Sequence, residues 1–275
     1  MQITPPMPSG RPSTPSVPSV LAVLAVLSGV GAGKCVRREL PLWAAAQLLL
    51  LAALSTVGDL GPAAWVAGAG YILTLLVVLG AALRRSGAAS VGPANRVTLA
   101  RSVLVGGVTA LTVEALTGGR LPHALLVTLT VVALVLDAVD GRVARRTNTA
   151  SPLGARFDVE IDAFLVLVLS ALVASTLGVW VLTIGLMRYG YVAASWSARW
   201  LRIAVLPSLA RKLVGALQGV ALVVAAADVL PHPAARLGLG VALALLCWSF
   251  RRDIGWQWRH REPRRRERGT GDGTT

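Results

Sequence analysis

Lysine is nearly missing from this 275-residue chain: Lys34 and Lys212 are the only two. Acidic side chains are few as well, 13 against 27 basic ones, so a formal net charge of +14 is carried almost wholly by arginine. The two cysteines, Cys35 and Cys247, stand far apart and exclude a disulfide framework. His123, His232 and His260 are scattered, which excludes a histidine-rich metal site. Charged residues of all kinds make up only 15% of the chain, too few to clothe a soluble domain of this length.

What fills the chain instead is Ala, Leu and Val. Hydrophobic residues reach 55% and the mean hydropathy is +0.66. Apolar stretches near the length that crosses a bilayer, about 20 helical residues, recur from end to end. These features define an integral membrane protein. Only helices satisfy their own backbone polar groups across lipid without closing a barrel, so the expected fold is all-α. Topology explains the arginine excess better than nucleic acid does.

Residues 1–18 are Pro- and Ser-rich and are expected to be disordered. Residues 19–33 are apolar but short, and a marginal span, a re-entrant piece or a signal-like segment all fit. No A-x-A cleavage signal follows, and Lys34, Arg37 and Arg38 do, which favours an uncleaved segment. Two firmer spans are expected at 41–57 and 63–83, joined by "GDLGP". Together, 19–86 form an N-terminal membrane extension of two or three hydrophobic helices. A linker of small and turn-forming residues covers 87–96. Six hydrophobic helices then follow, at 97–117, 121–146, 154–177, 178–200, 209–230 and 234–250, separated by Gly, Pro, Ser or Asn.

Arginine placement orients them. Arg96 and Arg101 open the first of the six helices, "GRVARR" ends the second, "ARWLR" ends the fourth, and "RRDIGWQWRHREPRRRER" follows the sixth. The intervening connections are poor in charge. By the positive-inside rule the arginine-rich connections face the cytoplasm.

On that side lies "LDAVDGRVARRTNTASPLGARFDVEID", residues 136–162, with four aspartates after an unbroken apolar run. At about 100° per residue, Asp137, Asp140, Gly141, Ala144 and Arg145 share one helix face. Gly154, Asp158 and Asp162 step by four and share another, while Glu160 points elsewhere. Two adjacent helices thus aim two carboxylates each into one cleft. Four carboxylates at close range stay ionised only beside cations, and oxygen ligands suit Mg²⁺, Mn²⁺ or Ca²⁺. With Arg145 as a forked donor and Gly141 leaving room, the same cleft suits a pyrophosphate. The competing account pairs these carboxylates with Arg142, Arg145, Arg146 and Arg156. It is disfavoured because ionisable groups at membrane depth are mostly functional.

The stretch fits D-x-x-D-G-x-x-A-R-x8-G-x3-D-x3-D without departure. It resembles the signature of the CDP-alcohol phosphotransferase family, over a six-helix core of 92–250. The resemblance implies that Asp137, Asp140, Asp158 and Asp162 ligate a pair of divalent ions, Mg²⁺ or Mn²⁺, with Asp162 also the general base. It implies that Gly141, Ala144, Arg145, Ser151 and Gly154 contact the CDP-linked lipid donor. "PANRVTLAR" is similar to the family's nucleotide-reaching stretch, which adds Asn95, Thr98 and Arg101; capping of the helix is the alternative for Asn95 and Thr98. The implied reaction moves a phosphatidyl group from a donor such as CDP-diacylglycerol to an alcohol and releases CMP.

The acceptor stays open. Arg188, Tyr189, Tyr191, Arg199, Arg202, Arg211 and Lys212 could bind a phosphorylated alcohol, or could be orienting charges and interfacial aromatics. "ARKLVGALQ" resembles a phosphatidylglycerophosphate synthase stretch at Lys212 and Gln218 but departs from it at Arg211, Val214 and Gly215. An inositol phosphate acceptor remains the other choice. Residues 251–275 read as a basic cytoplasmic tail on anionic lipid, not on nucleic acid. A homodimer is among the expected partners. A prenyl-transferring enzyme would need a second Asp-rich motif, and a transporter would need internal repeats. The spans 41–57 and 63–83 with their connecting turn carry only one acidic residue, Asp59, and the extension is expected to serve packing, partner contact or targeting. A chain beginning near Ser90 is therefore expected to keep its activity.

Overall fold

The computed structural model describes residues 34–86, 93–147, 152–198 and 209–259. Expectations for residues 1–33, 87–92, 148–151, 199–208 and 260–275 lie outside this range. Every regular element among the described residues is helical. In chain order they are α1 (Lys34–Gly58), α2 (Pro62–Ser86), α3 (Pro93–Leu116), α4 (His123–Thr147), α5 (Pro152–Leu177), α6 (Leu182–Ser197), α7 (Leu209–Ala226) and α8 (His232–Arg259). A 3₁₀ turn, Val179–Val181, leads into α6.

Several boundaries differ from the sequence expectation. Helix α1 begins at Lys34 and carries Pro41 inside it, although proline removes the bond to the carbonyl four residues back. Residues 93–96 belong to α3 and not to a linker, with Pro93 as the first helical residue, where its missing N–H is no loss. Asn95 and Thr98 therefore lie inside α3, beyond a capping position. Helix α8 runs past Phe250 to Arg259, because no proline interrupts "RRDIGWQWR" and cations suit a helix C-terminus.

Among the described residues, four helical stretches are long and apolar enough to cross a membrane: Leu40–Gly58, Pro62–Ala82, Arg96–Leu116 and His232–Arg259. Burial separates one from the rest. In the apolar 18-residue window of Arg96–Leu116 72% of the residues are buried, against 28%, 33% and 22% in the corresponding windows of the others. Helix α3 is thus the hub, packed by α1, α2, α4 and α5, while α6 and α7 pack on α5 and α8 closes on α7. The buried cluster that holds Leu51, Leu54, Leu60 and Ala64 of α1, α2 and their turn continues into Val105, Leu126, Ile161, Leu169 and Leu222. The 87–96 boundary marks a sequence resemblance; it does not divide the hydrophobic core.

Lipid is as apolar as leucine, so helices in membranes associate through close packing and polar contacts. Both occur here. A methyl group on Gly106 of α3 would lie 2.5 Å from Gln47 Oε1 of α1. The Gly61 N–H donates to Glu114 Oε2 at 2.7 Å, tying the α1–α2 turn to the end of α3. There Gly118, at φ 88°, lets the Gly119 N–H reach the Glu114 carbonyl at 2.9 Å, closing α3 with a Schellman turn. Gln218 Nε2 donates to the Ala242 carbonyl at 2.7 Å between α7 and α8.

The glycine contacts make a graded prediction. A methyl group on Gly185 of α6 would sit 2.6 Å from the Leu167 Cα, which is backbone. Gly185→Ala is expected to force α5 and α6 apart and lose roughly 1–3 kcal/mol. Gly106→Ala should lose less, since the atom it meets ends a flexible side chain. Thermal unfolding in detergent tests the order; equal melting of the two variants would contradict it.

Candidate active site

Three helices each bring charge to one place. Helix α3 contributes Arg101, α4 contributes Asp137, and α5 contributes Asp158 and Asp162. The four-residue step on α5 stacks its two carboxylates on one face. Arg101 Nη1 pairs with Asp137 Oδ1, and Nη2 with Asp158 Oδ1. Nη1 also lies 3.1 Å from Asp162 Oδ1, and Nη2 donates to the Asp158 backbone carbonyl at 3.3 Å. A carboxylate oxygen from each of the three aspartates lies within 4.8 Å of the others.

Exposure is unequal across this cluster, and that sets what it can do. The Arg101 side chain is 1% exposed, whereas Asp137, Asp158 and Asp162 are 38%, 31% and 43% exposed. The guanidinium forms the floor and the carboxylates form a rim open on one side. Arg101 offsets one of three negative charges, so two remain, the charge of one divalent cation. Carboxylate oxygens without nitrogen or sulfur donors fit a hard ion such as Mg²⁺ or Mn²⁺. The residues present therefore fit a divalent metal.

The remaining predicted positions divide. Asp140, Gly141, Ala144 and Arg145 continue α4, but their side chains lie outside the described set, as does that of Asn95. Ser151 is outside the described residues. Gly154 is partly buried in the first turn of α5. Thr98 is buried one turn before Arg101, and its carbonyl accepts the Ser102 hydroxyl at 2.7 Å. Glu160 points away from the rim and pairs with Arg188 at 2.6 Å.

Two acceptor candidates are thus engaged elsewhere: Arg188 with Glu160, and Arg211, whose Nε lies 3.0 Å from Asp253 Oδ2. Tyr191 accepts a hydrogen bond from Gln257 Nε2 at 2.9 Å. Arg199 and Arg202 are outside the described residues, and so is the Lys212 side chain.

Sequence reasoning placed Arg101 on the nucleotide; the structure places it among the aspartates. The available signal was its isolation, a single cation a full turn inside an otherwise apolar stretch, "VTLARSVLVGG". Asp253 and Gln257 were missed because they fall in what read as a tail.

The family model for CDP-alcohol phosphatidyltransferase matches residues 91–250, more than half of the chain. The chain belongs to this family, and is a membrane-type transferase that takes phosphatidyl groups from a CDP-linked donor to an alcohol acceptor. Neither the curated proteins nor the solved structures give a match.

Deleting the floor of the site should expose its charge. Arg101→Ala leaves three facing carboxylates. It is expected to lose about 2 kcal/mol, between the value of an exposed ion pair and that of a buried one. Because a cation can replace the guanidinium, Mg²⁺ or Mn²⁺ should raise the variant's melting temperature more than the wild type's. Equal metal effects on the two proteins would argue against a cation site here.

Proposed function

We propose that the chain is a metal-dependent phosphatidyltransferase that moves the substituted phosphate of a CDP-linked lipid, such as CDP-diacylglycerol, onto an alcohol with release of CMP. The observation that carries this reading is the convergence of Asp137, Asp158 and Asp162, from two helices, over the buried Arg101. In this reading α3–α8 form a six-helix membrane core, with the aspartate rim facing the cytoplasm. The nucleotide and the polar alcohol then arrive from water while acyl chains stay in the bilayer.

Asp137, Asp140, Asp158 and Asp162 would hold Mg²⁺ or Mn²⁺, as a pair of ions. Bound there, the ions supply charge to neutralise the pyrophosphate and the departing CMP. The protein does the rest. Arg145 grips phosphate oxygens in a forked geometry. Gly141, Ala144 and Gly154 leave space for the donor, with Ser151, Asn95 and Thr98 on its nucleotide side. Asp162 accepts the proton of the alcohol hydroxyl. The alcohol oxygen bonds to the lipid-side phosphorus as the bond to the CMP oxygen breaks. The acceptor is an alcohol or phosphorylated alcohol, with glycerol phosphate and inositol phosphate the two choices to compare. The basic tail would rest on anionic lipid, and a homodimer fits this reading without altering it.

The deciding assay follows CMP release from labelled CDP-diacylglycerol in purified membranes against a panel of alcohols. Absence of transfer to every alcohol, with correctly inserted protein, would sink the proposal. Asp137→Asn and Asp158→Asn are each expected to abolish metal-dependent release, since a neutral amide ligates a divalent ion weakly and offsets no charge.

Asp162→Asn should behave differently. Donor binding should persist while transfer falls roughly 10²- to 10⁴-fold, the usual contribution of a general base. Lost donor affinity with turnover retained would make Asp162 a ligand only.

A further inference from the structure

Helix α5 must be held at one rotation for Asp158 and Asp162 to meet Arg101. Beside the core helices α3, α6 and α7 that pack on it, side chains from before the family core also press on its aspartate-bearing end. Phe157, Ile161, Phe164 and Val168 recur at helical spacing and form an apolar stripe beside the two aspartates. Phe157 immediately precedes Asp158. It packs on a cluster of Leu40, Ala44, Ile72, Leu76, Leu79, Leu99 and Val103, built from α1, α2 and α3. Phe164, two residues after Asp162, stacks on Tyr71 of α2, with ring centroids 4.7 Å apart and planes inclined by 19°.

Tyr71 connects three parts of this arrangement. Its ring packs against both buried clusters. Its hydroxyl is shut off from solvent and lies beside Ser102, the next residue after Arg101. Its own position is fixed, because α1 and α2 are held to α3 by the Gln47–Gly106 approach and the Gly61–Glu114 hydrogen bond.

We infer that the two N-terminal helices complete the active site, with Tyr71 as a positioning residue that sets the rotation of α5 and so the spacing of Asp158 and Asp162 from Arg101. This rests on the function proposed above. It reverses the expectation that a chain beginning near Ser90 keeps its activity. Tyr71 touches no reacting atom; it acts through Phe164.

The test uses the full chain purified in detergent, with Tyr71→Ala, Tyr71→Phe and Phe164→Leu. Mn²⁺ affinity is read by electron paramagnetic resonance, and CMP release gives kcat and KM for CDP-diacylglycerol. Tyr71→Ala is expected to weaken Mn²⁺ binding by about 10-fold, as residues that orient metal ligands do. It should lower kcat on the order of 10²-fold, the effect of a small misplacement, with KM little changed. Tyr71→Phe keeps the ring and should restore most of both. Phe164→Leu, which removes the stack from the other side, should resemble Tyr71→Ala and carries the comparison if that variant does not fold.

Wild-type Mn²⁺ affinity and turnover in the folded variants would overturn the inference. A wild-type protein that binds Mn²⁺ but releases no CMP would sink the reaction proposal and leave the Mn²⁺ comparison to decide the positioning role. One that binds no Mn²⁺ would overturn both.

Discussion

A guanidinium buried to 1% exposure in an apolar helix bundle has to be met by carboxylates, and meeting it constrains three helices at once. Moving an isolated charge out of water costs several kcal/mol, even after relaxation. Arg101 avoids most of that cost only while Asp137, Asp158 and Asp162 stand within reach. Sliding α5 by one residue would rotate both of its aspartates by about 100° and strand the cation. The register of α3 against α4 and α5 is therefore constrained by electrostatics as well as by the apolar surfaces. The ion cluster specifies the arrangement of the bundle and supplies the acidic rim in the same stroke.

That arrangement keeps the carboxylates poised. Held from below by a fixed positive floor and open above, they need little reorganisation to receive a cation or a proton. Preorganised charge of this kind is the largest single source of catalysis in many enzymes. The four-residue step between Asp158 and Asp162 matters here, since it gives one helix face two oxygen donors at different depths. Glu160, on the other side of α5, is drawn off by Arg188 and does not compete for the site.

Much of this was legible in the sequence because carboxylates are rare in it. Each of the eight described helices answers to an apolar run punctuated by Gly, Pro, Ser or Asn. The face of α5 follows from residue spacing alone, and α5 does bring Asp158 and Asp162 together. Other features left no readable trace. Helices that are apolar nearly all round carry little directional pattern, so the seating of α1 and α2 on α3 could not be read from periodicity. The continuation of α8 to Arg259 was obscured by its arginines, which looked like a tail but extend a helix end that favours them. Arg101 was misplaced for a related reason: it was grouped with the nucleotide stretch that contains it. Burial makes it a partner of aspartates 36 and 57 residues further along the chain.

The environment of the N-terminal helices shows what they contribute. In water, stripping α1 and α2 from α3 would expose Leu99, Val103, Val105 and Val108 at a heavy cost in free energy. In a bilayer the same residues would meet acyl chains, which are as apolar as the helices that now cover them, and the hydrophobic penalty nearly vanishes. Burial energy therefore does not explain a hub helix buried over 72% of its apolar 18-residue window. What lipid cannot replace is shape. Acyl chains are fluid and offer no fixed surface, whereas the Tyr71 ring presents one to Phe164, and Gln47 and Glu114 hold α1 and α2 in register with α3. The extension's contribution is then geometric, a solid wall beside a helix whose rotation decides whether two carboxylates meet a buried arginine.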